Sequence, residues 1–268
     1  AFEKNLHEFI EERVAAAEEE IKKHPEDKEL YERYLDYRGV ASSEELFRRQ
    51  YLCENRDKLD FKNFLVKVEG DGTGGGVLFV SHYDSTSGGP GAADDAISVA
   101  IMLEALRLTL GQTQRKNDLY FLFTDGEEID MIGANHFVEY APELKDKIDV
   151  VFNLEARGTS GPLIMFGNKN LVLALIESVE HVVPVSVATT AYRYMSNNTD
   201  FSMFLKAGYS GLNFAMVGNP DHYHAMADNF ANLNRDSAYM YFRTAVDLAS
   251  FFSAADLSAY HSDEDAVF

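Results

Sequence analysis

Six side chains that can bind a cation or move a proton stand just past apolar runs: His82, Asp94, Glu127, Glu128, Glu155 and His224. His82 follows the run 77–81. Asp94 follows the loop Ser87-Gly88-Gly89-Pro90-Gly91-Ala92-Ala93 and is paired with Asp95. Glu127 and Glu128 come after 118–124, Glu155 after 149–153, and His224 after 211–217 by way of Gly218-Asn219-Pro220-Asp221-His222-Tyr223. In an open α/β sheet, ligands bind beyond the carboxyl ends of the strands. If these runs are such strands, the six groups converge on one rim. Carboxylates packed that closely repel one another and their pKa values rise; divalent cations remove the conflict. Two imidazoles and three of the four carboxylates suit zinc. Five ligands exceed one open tetrahedral site and fit two metals about 3.5–4 Å apart that share a carboxylate.

Taken singly, each residue has an ordinary explanation. A His after a strand is usually a polar loop residue. Glu127 and Glu128 suit a helix start, and Asp94 and Asp95 suit helix caps. Glu155 is harder to set aside, because it follows Val150-Val151-Phe152, where an unpaired carboxylate is costly. It is the joint placement at strand ends that favours a metal site.

The elements that must position these groups are strands over 61–68, 77–81, 118–124, 149–153, 163–166 and 211–217. Helical patterns lie between them, over about 95–110, 129–140, 171–182, 199–207 and 237–252. This alternation predicts a three-layer α/β/α fold with a mixed, mostly parallel central sheet. The pair 61–68 and 77–81, joined by Gly70-Asp71-Gly72-Thr73-Gly74-Gly75-Gly76, reads as an antiparallel edge hairpin. The glycine run lacks the Lys-Ser/Thr and helix of a phosphate cradle and reads as a turn. Residues 1–57 form an added helical N-terminal segment, 58–255 the catalytic core and 256–268 an acidic tail, all within one domain.

Composition narrows the function further. Lys plus Arg is 24 against 44 Asp plus Glu, a formal charge of −20. That balance argues against nucleic acid or an anionic membrane surface as partner. Cys53 is the only cysteine, so no intrachain disulfide framework exists. No apolar run approaches the ~20 residues of a membrane span.

The motifs His82-Tyr83-Asp84-Ser85, Gly91-Ala92-Ala93-Asp94-Asp95, Asp125-Gly126-Glu127-Glu128, Asn153-Leu154-Glu155-Ala156 and Tyr223-His224, with Asp228 four residues on, together resemble the co-catalytic zinc aminopeptidase family. That family also contains the glutaminyl cyclases. The likeness spans roughly residues 61–255. It is closest to the endoplasmic-reticulum metallopeptidase branch, which has Glu in the Asn-Leu-Glu motif and a segment like Asn198-Thr199-Asp200-Phe201. The resemblance implies two zinc ions per chain and a peptide substrate. His82 and Glu128 would be terminal ligands, Asp94 would bridge, and Glu155 and His224 would complete the set. Glu127 would act as general base on the attacking water and Tyr223 as oxyanion donor. Asp84 would orient His82, and Arg157 would meet a substrate carboxylate or neutralise the cluster. The same resemblance places the chain on the extracytoplasmic or lumenal face of a membrane. It would be a domain cut from a protein tethered by transmembrane helices outside this segment.

Two other functions compete with a zinc exopeptidase of the aminopeptidase kind. Asp125 stands where many of the peptidases carry a small or apolar residue, and Asp-Gly-Glu-Glu is frequent in glutaminyl cyclases, which are one-zinc acyltransferases. Against this, the cyclases use Trp in the substrate pocket, and this chain has none. A non-catalytic binding domain has no physical need for both Glu127 and a full ligand set.

Overall fold

The computed structural model describes residues 60–86, 88–112, 114–178, 182–184 and 198–260, together with Glu19 and Lys23. By its contacts the chain forms two units, residues 61–127 with 131–268 and residues 1–60 with 128–130. In the second, Glu19 and Lys23 pair at 3.3 Å one helical turn apart, and 128–130 form a turn. The helices expected over 1–57 lie outside the described residues, and so do residues 261–268 of the tail.

In the larger unit the chain runs β1 (Phe64–Val68), β2 (Gly76–His82), α1 (Ile97–Leu110), β3 (Asp118–Thr124), α2 (Ile132–Tyr140), α3 (Pro142–Lys145) and β4 (Val150–Ala156). It continues through β5 (Ser160–Gly167), α4 (Lys169–Ser178), β6 (Val182–Pro184), α5 (Asp200–Lys206), β7 (Ser210–Gly218) and α6 (Arg235–Phe252). The seven strands make one sheet in the order β1-β3-β2-β4-β7-β5-β6. The pairs β2/β3, β2/β4, β4/β7 and β5/β6 are parallel, whereas β1/β3 and β5/β7 are antiparallel. The mixed, mostly parallel sheet is therefore as the sequence predicts.

Strand side chains alternate between two apolar layers. Phe79, Phe121, Phe152, Leu154 and Phe214 pack on one face with Met102 of α1, Leu171 of α4 and Tyr241 and Leu248 of α6. Leu78, Val80, Tyr120, Leu122 and Val151 pack on the other with Phe137 of α2 and Phe204 of α5. Strands covered on both faces read as unbroken apolar runs, which is why β2, β3 and β4 are visible in the sequence. On the α2/α5 face each strand turns polar toward its carboxyl end: Val80 is followed by His82, Leu122 by Thr124, and Val151 by Asn153 and Glu155. That change of polarity marks the site.

Three expectations need correction. Strand β1 does not form a hairpin with β2; it crosses to pair with β3, Phe64 opposite Phe123. The reason is that β2 is hydrogen-bonded on both sides to parallel neighbours and has no edge to offer. The glycine run is the expected turn, with bends over 72–74 and Asp71 accepting from Thr73 N–H, and it adds a close approach: a Cβ on Gly75 would collide with the Asp149 carboxylate. The helix expected from 129 begins only at Ile132, because Asp130 (φ 84°) and Met131 (φ 53°) first turn the chain through the left-handed region. The helix expected over 171–182 ends at Ser178, and Val182–Pro184 instead add strand β6 beside β5; a short apolar run fits either state until a neighbouring strand is present.

Candidate metal centre

His82 ends β2 on the polar stretch of the α2/α5 face and is 1% exposed. Its Nδ1 lies 2.9 Å from the main-chain oxygen of Asp84. A carbonyl only accepts, so the proton sits on Nδ1 and Nε2 is turned toward the cluster. Nε2 faces Asp94 Oδ1 at 3.2 Å and Glu155 Oε2 at 3.8 Å. Burial opposes protonation of this ring, but Asp84 and Asp94 outweigh it and raise its pKa well above 6.5. The pocket thus calls for positive charge at Nε2, which either a proton or a metal ion provides.

Asp94 lies in the tight turn Ala92–Ala96 that leads into α1. Its two oxygens face different imidazoles, Oδ1 toward His82 Nε2 and Oδ2 toward His224 Nε2, each at 3.2 Å. Burial acts to raise its pKa, but hydrogen bonds from His224 and His82 dominate and hold it well below the carboxylate range. The turn is fixed from beneath by Asp228, whose carboxylate accepts the main-chain N–H of Ala93 (2.7 Å) and Asp94 (3.0 Å). Asp228 stood in the sequence only as a spacing; the structure gives it this task.

The loop after β3 carries Glu127 and Glu128, both 8% exposed. The Glu127 N–H donates to Asp84 Oδ1 at 3.1 Å, so one residue touches both the His82 ring and the Glu127 backbone. His82, Asp94 and Glu128 each offer a ligand atom, and these atoms lie within 4.8 Å of one another. Asn63, just ahead of β1, spans the loop: its Oδ1 accepts from Asp125 N–H (3.2 Å) and its Nδ2 donates to Gly133 O (2.8 Å). Asp125 accepts from the Tyr83 hydroxyl (2.8 Å) and from Lys62 N–H (3.0 Å). The departure of Asp125 from the small or apolar residue of many peptidases is thereby explained as a tie between loops. Nothing in the sequence around Asn63 signals its part.

Glu155 is not beyond its strand but inside β4, opposite Ala215 of β7. Burial pushes its carboxyl up to about 8, with His82 pulling the other way. Tyr241 of α6 places its hydroxyl 2.7 Å from the Glu155 main-chain nitrogen. Asp95 and Asp200 are also buried, at 1% exposure each. Burial raises both, Asp95 far above its usual range and Asp200 to about 6. Asp200 accepts from the Thr124 hydroxyl at the end of β3. Arg157, two residues past Glu155, donates through Nη1 to the Tyr223 hydroxyl at 2.9 Å. The Tyr223 ring in turn stacks on the His224 ring with centroids 3.7 Å apart. All nine residues singled out from the sequence therefore lie in or against one cluster at the carboxyl ends of β2, β3, β4 and β7.

A model of peptidase family M28 matches residues 63–249. The chain belongs to peptidase family M28. It is 30% identical over 210 residues to a vacuolar membrane protease of Candida dubliniensis, covering 77% of this chain and 22% of that protein. It is 35% identical over 191 residues to a Schizosaccharomyces pombe protein whose name provisionally assigns it as endoplasmic reticulum metallopeptidase 1, covering 68% of this chain and 23% of that protein. The M28 chain thus spans less than a quarter of the length of these relatives. Among solved structures, the LapA aminopeptidase of Legionella pneumophila superposes with a TM-score of 0.60 at 17% identity, over 78% of this chain and 62% of that one. A zinc aminopeptidase from Bacillus subtilis gives 0.55 at 20%, over 75% and 53%. A glutaminyl cyclase from Porphyromonas gingivalis gives 0.56 at 17%, over 71% and 76%. At such identities these likenesses are of fold, and the fold is common to peptidase and cyclase. The expected class, a metallopeptidase, is that of the family, and the described residues include no helix long and apolar enough to cross a membrane.

Proposed function

We propose that this chain is the catalytic segment of a two-zinc exopeptidase that removes residues from the amino ends of peptides. The observation that carries the reading is Asp94 between His82 and His224, one oxygen 3.2 Å from each ring. A carboxylate so placed suits a bridge between two cations. The donors around it are imidazole nitrogens and carboxylate oxygens, as zinc prefers, and without a cation burial leaves Glu155 raised to about 8. His82, Glu128, Glu155 and His224 would be the terminal ligands.

Bound zinc supplies Lewis acidity, polarising the scissile carbonyl and lowering the pKa of a water. Glu127 takes the proton of the attacking water and returns it to the leaving amine. Its backbone N–H is held by Asp84 Oδ1, which fixes the point from which the side chain starts. Tyr223 would donate a hydrogen bond from its phenol O–H to the oxyanion as charge develops there. Asp84 fixes the tautomer of His82 through its carbonyl. The names of the relatives place one in the vacuolar membrane and the other in the endoplasmic reticulum. By extension this segment works on the lumenal side of such a membrane.

The test is zinc content by mass spectrometry together with a peptide screen of the native chain and Glu127→Ala. Two zinc per chain are expected in both. Hydrolysis should fall about 10²–10⁴-fold in the variant. Retained hydrolysis removes Glu127 as base. One zinc with pyroglutamate formation from N-terminal Gln peptides makes the chain a cyclase instead, and no zinc with no turnover makes it a binding domain.

A further inference from the structure

Arg157 leaves β4 with its main-chain N–H donating to Met216 O of β7 at 2.7 Å, so the residue is fixed where the two strands end side by side. Its guanidinium then reaches the loop that follows β7. Nη1 donates to the Tyr223 hydroxyl at 2.9 Å, and the guanidinium carbon lies 4.8 Å from the centre of the Tyr223 ring. Tyr223 lies flat against His224, with 23° between the rings. His224 itself is held at φ 56°, a conformation a residue with a side chain adopts only when its surroundings impose it. The neighbouring residues make the same junction: Thr159 Oγ1 lies 2.8 Å from His222 Nδ1, and a Cβ on Gly158 would meet the Gly218 carbonyl.

We propose that Arg157 is a positioning residue that braces Tyr223 and, through it, His224, and that it does not bind a substrate carboxylate. This deepens the peptidase reading above and rests on it. Two arguments separate bracing from substrate binding. First, the guanidinium is engaged with Tyr223 by hydrogen bond and ring contact together. Binding a peptide carboxylate would require breaking that engagement, giving up the Tyr223 contact for the new one. Second, a phenol oxygen that accepts from a cation keeps its own proton for donation elsewhere. A cation beside it makes that O–H a stronger donor, which suits a group that must meet a developing oxyanion. The consequence for substrate class is that Arg157 provides no anchor for a free C-terminus. Peptides with and without a carboxylate should therefore be handled alike at this position.

The experiment compares the native chain with Arg157→Met, Arg157→Lys, Tyr223→Phe and the double variant Arg157→Met/Tyr223→Phe. The substrates are an aminoacyl 4-nitroanilide, which has no carboxylate, and the dipeptide of the same N-terminal residue with a free C-terminus. Bracing predicts that Arg157→Met lowers kcat about 10–100-fold on both substrates, the range for residues that orient catalytic or ligand groups. KM should move less than about twofold, since no ground-state contact is lost. Arg157→Lys, keeping the charge but losing the planar fork, should fall between. The double variant should lose no more than Tyr223→Phe alone, because the two act as one unit. A rise in KM confined to the carboxylate-bearing dipeptide would overturn the proposal in favour of substrate binding. Additive losses would show that Arg157 does not act through Tyr223. If the native chain hydrolyses neither substrate, the peptidase reading is what fails. The brace is then decided by the crystal structure of Arg157→Lys: a Tyr223 ring displaced from the face of His224 supports it, and an unmoved ring refutes it.

Discussion

The two ends of the central sheet are both rich in Asp, Glu, Asn and Gly, yet they do different things. At the amino ends of β2, β3 and β4, the side chains of Asp118, Asp149 and Asn117 are each tied to a backbone group or a cation. Asp118 accepts from Gly70 N–H and pairs with Lys67 at 2.8 Å, and Asp149 accepts from Gly76 N–H. Asn117 joins Gly75 N–H to the carbonyls of Phe252 and Ala255. These are turn and cap bonds, and Lys67 and Gly70 lower the pKa of Asp118 against the opposing effect of its partial burial. At the carboxyl ends, Asp94, Asp95, Glu155 and Asp200 are buried near one another; burial acts to raise all four, and only in Asp94 do hydrogen bonds from His224 and His82 outweigh it. Residue type alone therefore does not make a site. What distinguishes the site is carboxylates withdrawn from water whose neighbours are imidazoles and one another.

Substitutions at the two ends should separate these roles, the largest effect first. Asp94→Asn removes the shared anion between the two imidazoles. Zinc content should drop below one per chain by mass spectrometry, and hydrolysis should fall at least on the order of 100-fold, since even orienting residues of metal sites are worth 10–100-fold. At the other end, Asn117→Ala removes three hydrogen bonds of a buried amide and should lower unfolding free energy by about 2–3 kcal/mol in a urea titration. Its zinc content and its activity per folded molecule should match the native chain. Loss of zinc in this variant would mean that the two ends of the sheet do not act separately.

Asp200 supplies a pH test. Its carboxyl rises from 3.8 to about 6 because of burial, against the lowering hydrogen bond from Thr124. A carboxyl with a raised folded pKa holds its proton more tightly folded than unfolded. Its contribution is thus present below about pH 4 and is lost as pH rises through about 6. In zinc-free protein, Asp200→Asn should nearly equal the native chain below about pH 4 and exceed it by about 3 kcal/mol above pH 7. A difference independent of pH would mean that Asp200 is ionised in both states. The smallest effect is expected from Tyr83→Phe. It removes the exposed hydroxyl bonds to Lys62 O (2.6 Å) and Asp125 (2.8 Å) that tie the Glu127 loop. Stability should change by less than about 1 kcal/mol, and kcat should fall a few-fold with KM held.

Much of this was legible from particular residues. The runs Val77-Leu78-Phe79-Val80 and Leu119-Tyr120-Phe121-Leu122 are strands because only a strand covered on both faces needs such a run. The polar residues that end them marked the rim. Less legible were partners contributed from distant segments. Asn63, Asp228, Tyr241 and Thr124 reach the site from four separate segments, each by hydrogen bonds that no local pattern encodes. The hairpin expectation failed for a related reason. Whether β1 meets β2 or β3 depends on which edge is open, and that is settled only when β4 occupies the other side of β2.

The sequence by itself determined the fold class, the strand-end placement of the ligand types and the family, because burial periodicity and residue chemistry are local properties. The tertiary structure alone decided which carboxylate stands between the two imidazoles, how deeply Glu155 is withdrawn from water, and that Arg157 is engaged with Tyr223. Those are matters of distance and desolvation between residues far apart in the chain. In a low-dielectric interior, a few ångströms decide whether a charge is a cap, a ligand or a brace.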